Sequence, residues 1–545
     1  MDNQLPLILV GATALWLVWK IVFTNNERNK LPPGPFKYPL IGNALEMFKG
    51  KSFEQLMASY WEEHGPLVHL SILGRDILFI NDLQIAQELT EKRGSIYSDR
   101  PPFIMFKREF LILQTPNRAK CPFNGSSWMV LGLSDVIVCA VSFISFCTSI
   151  EFLFNSGPQF RKHRRMMNAV LSEKAVDSFR DMQAKSALLF VRLLVSDSAK
   201  DLQMHIKRFA ASTMMKVAYD HDVESLEDPI VKTSLEVLTA TLELGTVSAT
   251  LVDNIPALAR LPTWAPFAGF KRRALALRSK VEMSQEKPYE MVKQRMMSGE
   301  NPDCFVSKNV EECGGPDVVS SDDEREIQGA AAALYTGAEE TTLAVIHSFF
   351  LAMLHNPDVY RGVQEEIDRV IGFDRLPVPE DRAKLPYLEA TIRELYRWTS
   401  PAAINAPHRV REDDIYNGYL IPKDTDFLIL IDSGLLRQCP EPEAFIPQRF
   451  IDGTKLGKVP ADPKDVIFGF GRRRCPGWHF ADRSVWVAVS YVATLFDILP
   501  EAGPSGQKAL PPIEFAMSNT RHPKPFNCSV IPRANRAKLL KDLVD

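Results

Sequence analysis

No two of the eight cysteines form a CxxC pair, and no spacing among positions 121, 139, 147, 304, 313, 439, 475 and 528 repeats. That excludes a zinc knuckle and a disulfide framework and leaves mostly reduced thiols in a cytosol-facing chain. A dominant charge is also missing. The net charge is −3, so no global basic field points to nucleic acid. Internal repeats and long linkers are absent too, which argues for one large domain rather than an array. With 46% hydrophobic and 24% charged residues, the 545-residue chain has ordinary globular composition.

Long apolar runs are present. Leu5 to Phe23 reads LPLILVGATALWLVWKIVF. At ~1.5 Å per residue it extends ~28 Å, close to the hydrocarbon thickness of a bilayer. Lys20 is its only charge, and Trp16 and Trp19 suit the interface. A cleaved signal peptide wants basic residues before the run. Here Asp2 precedes it, and Arg28 and Lys30 follow. Residues 1–30 are therefore expected to form an uncleaved anchor with the remainder in the cytosol. LPPGP at Leu31 to Pro35 reads as a stiff elbow behind it, proline fixing φ and glycine allowing a turn.

The body, residues 31–545, reads as mainly α with small β-sheets. Leu67 to Ile80 alternates like a strand pair broken at Gly74-Arg75. Ser321-Asp322-Asp323-Glu324 reads as a capping box, Ser321 at N-cap and Glu324 at N3. It opens a helix of over thirty residues that stops at Asn356-Pro357. Its middle, GAAAALYTGAEETT, holds small residues and then Glu339, Glu340, Thr341 and Thr342. One reading turns both glutamates to solvent and lets the threonines bond back to the helix. The other places costly polar groups in a buried span. A second helix spans Leu385 to Trp398, with Glu394 and Arg397 as surface neighbours at i,i+3. Glu366 and Arg369 repeat that spacing on what reads as an exposed helix.

FGFGRRRCPGWHFA, Phe468 to Ala481, sets Cys475 among arginines, before a helix. Unpaired N–H groups at a helix start favour a thiolate. Gly471 and Gly477 let the backbone approach something flat and bulky, against which Phe468 packs, while Arg473 pairs an anion. A haem held by cysteine fits these features. So does an activated nucleophile.

Phe468-x-x-Gly471-x-Arg473-x-Cys475-x-Gly477 resembles the haem-binding signature of the cytochrome P450 family. Four further features, in order, resemble that family. They are the anchor and elbow of its microsomal members, Gly337-Ala338-Glu339-Glu340-Thr341-Thr342, Glu394-x-x-Arg397, and Phe445-x-Pro447-x-Arg449-Phe450. Tyr97-Ser98-Asp99-Arg100-Pro101-Pro102 and the stretch from His522 resemble fungal secondary-metabolism members, O-methylsterigmatocystin oxidoreductase-like ones among them.

The resemblance implies a single large haem domain of cytochrome P450 fold and a haem-thiolate monooxygenase. Such an enzyme inserts one atom of O2 into a lipophilic small molecule. It implies heme b, electrons from NADPH through cytochrome P450 reductase, and the endoplasmic reticulum membrane crossed once. Cys475 would ligate the iron. Arg473, Arg164 and His408 would bind its propionates, and Phe468, Gly471 and Gly477 would shape the pocket. Phe160 stands where the family often has tryptophan, so one propionate bond lacks its indole donor. Thr341 and Glu340 would serve oxygen activation and proton delivery. Ala338 departs from the glycine usual in that motif. Glu394, Arg397 and Arg449 would be structural. Substrate contacts would come from the loop after Arg100, from Ala333 and Gly337, from Ala402 to Ala406 and from the turn Met517 to Asn519. Lys464, Arg472 and Arg474 would form a basic docking face. The alternatives are a haem-thiolate isomerase or dehydratase, and a non-enzymatic haem binder.

One stretch fits none of this. Residues from about Arg108 to Asn155 include WMVLGLSDVIVCAVSFISFCTSIEFLF at Trp128 to Phe154. Alone it reads as a second membrane span, yet it separates two segments expected in one cytosolic domain. A retained intron is the simplest account, and a lipid-dipping substrate loop the alternative.

Overall fold

The alternation from Leu67 to Ile80 folds into two antiparallel strands, β1 (Leu67–Ile72) and β2 (Arg75–Ile80). Leu73 and Gly74 turn between them with φ of 50° and 82°, the left-handed pair that matches strand twist. The computed structural model describes residues 30–38, 41–45, 53–101, 156–196, 201–244, 258, 260–266, 268–436, 438–451, 461–501, 509–517 and 520–544. The N-terminal run, the insert at about 108–155, the loop beyond Pro101 and the turn at 518–519 lie outside them. Among the described residues no helix is long and apolar enough to cross a membrane.

The described residues up to Pro101, with Pro407–Ile429, form one compact unit; the described residues between 102 and 406, and from Leu430 on, form another. The first holds α1 (Phe53–His64), which packs on β1. Its later strands are β3 (His408–Arg409), β4 (Asp414–Tyr416), β5 (Tyr419–Ile421) and β6 (Asp426–Ile429). The main sheet runs β1-β2-β6-β3, with β2 and β6 parallel, and β4 and β5 make a separate hairpin. Val68, Ile80, Phe427 and Ile429 are buried in it. The LPPGP elbow lies against this sheet: the His69 N–H donates to the Pro33 carbonyl at 2.8 Å. A Cβ on Gly34 would stand 2.0 Å from the His69 carbonyl oxygen. Glycine is required there by close approach rather than by a turn.

The second unit is helical. Its elements are α2 (Pro158–Leu171), α3 (Arg180–Ser196), α4 (Leu202–Tyr219), α5 (Pro229–Leu244), α6 (Gly269–Met297), α7 (Phe305–Glu312), α8 (Ser321–His355), α9 (Pro357–Ile371), α10 (Pro386–Thr399), α11 (Trp478–Leu495) and α12 (Ala537–Val544). Two short strand pairs complete it, β7 (Phe496–Pro500) with β10 (Cys528–Pro532) and β8 (Phe515–Met517) with β9 (Arg521–Pro523). At 35 residues, α8 is ~52 Å long. It packs against α2, α4, α10 and α11, and every residue from Thr342 to Leu354 is buried. Its N-cap is Ser320, one residue before the expected one: the hydroxyl accepts the Asp323 N–H at 3.1 Å. Ser320 and Ser321 both suit a cap, so spacing alone did not separate them.

Two other expectations are corrected. Glu366 is buried, not on an exposed face. Its oxygens accept the N–H groups of Tyr387 and Leu388, each at 2.9 Å, so a side chain of α9 caps the first turn of α10. Glu394 and Arg397 are likewise not surface neighbours; they are almost fully buried.

Candidate functional site

Between Phe468 and Trp478 the chain closes a tight loop ahead of α11. The Cys475 N–H donates to the Phe468 carbonyl at 2.7 Å, and Arg473 and Arg474 donate to Phe470 and Gly471, each at 3.2 Å. Gly469 and Gly471 supply left-handed φ of 76° and 52°, which side-chain-bearing residues rarely adopt. Cys475 is half-buried, two residues before the Gly477 N-cap. A Cβ on Gly477 would stand 4.0 Å from its sulfur. Phe468 packs edge-on against Tyr396 of α10, with ring centroids 5.9 Å apart.

Helix α2 meets this loop. Its Arg164 donates to the carbonyls of Arg472 and Arg474. The Arg473 guanidinium lies 3.8 Å from the centroid of the Phe160 ring, and that of Arg164 lies 5.5 Å from it. Phe160 thus supplies an aromatic floor for both arginines. His408 belongs to the other unit. Its Nδ1 donates to the Tyr97 carbonyl at 2.9 Å. A carbonyl only accepts, so Nδ1 carries the proton and Nε2 donates to a carboxylate only in the charged ring.

Cys475 differs in setting from the other described cysteines. Cys304, Cys439 and Cys528 are buried, and burial pushes their thiols up, that of Cys528 to about 12. They are inert packing groups; Cys313, partly buried just past α7, has its thiol pushed up by burial and by the charge of Asp323.

The middle of α8 supplies the second set. Among the described residues a Cβ on Gly337 would meet nothing within 4 Å, so these leave open space beside this turn. The Thr341 hydroxyl donates back to the Gly337 carbonyl at 3.0 Å. Glu340 faces α4, where Lys207 Nζ lies 3.6 Å from its Oε1. Glu339 is buried rather than turned to solvent. Burial pushes its carboxyl up to about 8, aided by the charge of Glu340 and opposed by Lys207 and Tyr335. Lys207 carries no motif, and as one of three cations on α4, beside Arg208, it gave no sequence signal. Ala333, by contrast, is packed in the core with Met214, Met215 and Phe305.

A buried ionic staple lies on α10. Arg397 donates to Oε2 and Oε1 of Glu394, at 2.7 and 2.8 Å, and Arg449 Nε to the same Oε1 at 3.3 Å. The two guanidiniums also bond the carbonyls of Pro440, Glu441, Pro442 and Ala444, and the Ile446 N–H reaches Glu394 at 2.7 Å. One carboxylate thus pins the segment 440–449 to α10.

Lys464 does not belong to an open basic face. It is mostly buried and pairs with Glu389 at 2.6 Å and Asp482 at 3.7 Å. Burial pushes the Glu389 carboxyl up, but Arg382 and Lys464 prevail and hold it down at about 2. Arg474 pairs with Asp465 at 3.1 Å and lies over Trp478, while Arg472 is exposed.

These residues suit a haem. Among the described residues no three His, Cys, Asp or Glu side chains gather around a metal position. A lone thiolate holds iron when the other ligands arrive with the metal, as a macrocycle provides. Open space at Gly337 and guanidiniums held near the cysteine loop match its ring and its carboxylates.

The chain is similar to known proteins over most of its length. The cytochrome P450 family model matches residues 32–119 and 144–527. The gap between those ranges falls within the apolar insert. The cytochrome P450 monooxygenase eriC of Hericium erinaceus is 38% identical over 539 residues, covering 98% of both chains. Cytochrome P450 monooxygenase 136 of Postia placenta is 31% identical over 548 residues, 99% of this chain and 95% of that one. Cytochrome P450 monooxygenase claR of Ampulloclitocybe clavipes is 30% identical over 548 residues, covering 98% and 92%.

Proposed function

Since this chain belongs to the cytochrome P450 monooxygenase family, we propose that it inserts one atom of O2 into a lipophilic small molecule of fungal secondary metabolism, with electrons from NADPH through cytochrome P450 reductase. The observation that carries this reading is the tight, glycine-built loop that presents Cys475 ahead of α11; the polar turn of α8 at Gly337 to Thr341, with open space beside it among the described residues, supports it.

Cys475 would hold the haem iron, with Arg473 and Arg164 directed at its propionates; the family resemblance alone adds His408 to that set. The bound haem supplies the oxygen chemistry. The protein's part is positioning. Phe160 orders two guanidiniums, so their charge is directed before any carboxylate arrives. Gly337 leaves room beside α8. The Thr341 hydroxyl, with its proton committed to the Gly337 carbonyl, presents its lone pairs as an acceptor. Glu340 and Lys207 join this turn to solvent as an ion pair. Retention of Glu340 and Thr341 favours an oxygenase over a haem-thiolate isomerase, which needs no proton delivery to oxygen. The test is product analysis under ¹⁸O₂ with reductase and NADPH. One labelled oxygen per product is expected. Turnover that needs neither NADPH nor O2 supports the isomerase or dehydratase reading instead.

Residues 1–30 would anchor the domain to the endoplasmic reticulum membrane. Removing them is expected to move the protein from the membrane pellet to the soluble fraction with its haem spectrum unchanged. A truncated chain that stays in the pellet contradicts a single anchor. For the insert at about 108–155 the retained-intron reading is kept. Sequencing the transcript across the codons for Phe106 to Phe160 decides it, and an mRNA that encodes every residue defeats it.

A further inference from the structure

Glu339 has no place in the roles above, yet burying it is costly. It is 1% exposed, and neither carboxylate oxygen makes a full hydrogen bond among the described residues; the Tyr335 hydroxyl is the donor within weaker hydrogen-bonding reach. An unsatisfied buried polar group costs ~1–3 kcal/mol and calls for a reason. The hydroxyl of Tyr335, one turn earlier on the same helix, is also buried and, apart from its weak approach to Glu339, makes no hydrogen bond among the described residues. It lies within electrostatic reach of Glu339, of Tyr219 on α4 and of Asp228. Asp228 accepts from His221 at 2.8 Å, and both are partly exposed. Next along the helix is Glu340, ion-paired with Lys207.

We propose that Glu339 is a proton-holding partner of Glu340: a buried, neutral carboxyl that passes its proton to the neighbouring, ion-paired carboxylate during turnover. The transfer balances as one proton leaving Glu339 and one arriving at Glu340, with no electrons moved. Glu339 recovers its proton from the Tyr335 side, where Tyr219, Asp228 and His221 lead toward solvent. The groups that act on Glu339 are Glu340 and Tyr335 on its own helix and Lys207 on α4. Burial and the charge of Glu340 raise its pKa to about 8, against Lys207 and Tyr335, so it is protonated at neutral pH and charged in alkali. Two adjacent carboxyls in unlike surroundings make an acid and its charged acceptor. Glu339 acts through Glu340 and is a positioning residue. The inference rests on the monooxygenase reading for Glu340 and Thr341.

The experiment uses the haem-loaded protein and its Glu339→Gln and Glu340→Gln variants, each checked by circular dichroism and its reduced carbon monoxide spectrum. Infrared titration reads the protonated carboxyl stretch directly, with no turnover. A band that titrates near about 8 is expected in the wild type; in E340Q it should persist at a lower midpoint, because the charge that helps raise it is gone, and in E339Q it should vanish. With reductase and NADPH, E339Q should release at least about threefold more peroxide per NADPH near neutral pH, a small share of what a general acid contributes. The two proteins should converge in alkali, where the wild type has lost that proton. If E339Q fails to fold, Glu339→Asp serves; its band should persist at a shifted midpoint. A wild-type band that survives E339Q, or peroxide yields that differ equally at every pH, overturns the proposal. Loss of the thiolate-type carbon monoxide spectrum in the wild type would instead sink the monooxygenase reading itself.

Discussion

Glu394→Ala is expected to destabilise the protein by ~3–5 kcal/mol, the range for removing one partner of a buried ion pair. Total stability is ~5–15 kcal/mol for a domain, so most of the variant should fail to accumulate as folded, haem-loaded protein. Two guanidiniums lose the one carboxylate they share, and the Ile446 N–H loses its acceptor. None of these groups can reach water, since Arg397 and Arg449 are 1% and 3% exposed. The carbonyls of the 440–444 turn would then face uncompensated positive charge on a segment that has come loose from α10. Glu394→Gln keeps one acceptor oxygen and the shape, so it should fall between wild type and alanine. Urea unfolding followed by circular dichroism checks this, alongside the yield of bound haem. An alanine variant with an unchanged midpoint contradicts the structural role.

Thr341→Ala should leave the fold and the haem spectrum intact while diverting electrons to peroxide. Among the described residues the hydroxyl bonds only its own helix, at Gly337, and alanine is a better helix former, so stability should hardly move. What disappears is an acceptor beside the open space at Gly337. Peroxide released per NADPH, measured with reductase, should rise by about an order of magnitude or more, as expected for loss of a positioned proton-transfer group. An unchanged ratio places the role on Thr342 or on a water. Together with the Glu339 variants it separates two steps: Thr341 should act at every pH and Glu339 only while protonated.

What could be read ahead of the structure was local. A thiolate loop needs its cysteine, glycines and arginines within ten residues, so Phe468 to Gly477 was legible as a unit. The strand pair at Leu67 to Ile80 was legible because alternation and a two-residue turn are both short-range signals. The E-x-x-R spacing was not decisive, because burial depends on distant segments. Glu394 is enclosed by the turn at 440–446 and Glu366 by the start of α10, and neither neighbour is implied by i,i+3 spacing. Lys464 failed for the same reason: its partners Glu389 and Asp482 lie on two other helices. The buried Glu339 is the sharpest case. A glutamate in a helix normally finds solvent, and the packing of other elements, α4 among them, along α8 denies it.

The most direct measurement is the reduced-minus-reduced-plus-CO difference spectrum of the wild type and of Cys475→Ala. The wild type should give the thiolate-type band, because Cys475 alone among the described cysteines sits in a loop shaped for a ligand while Cys304, Cys439 and Cys528 are buried. Cys475→Ala should abolish that band. A wild type without it, or an alanine variant that keeps it, contradicts the assignment of Cys475 as the haem ligand.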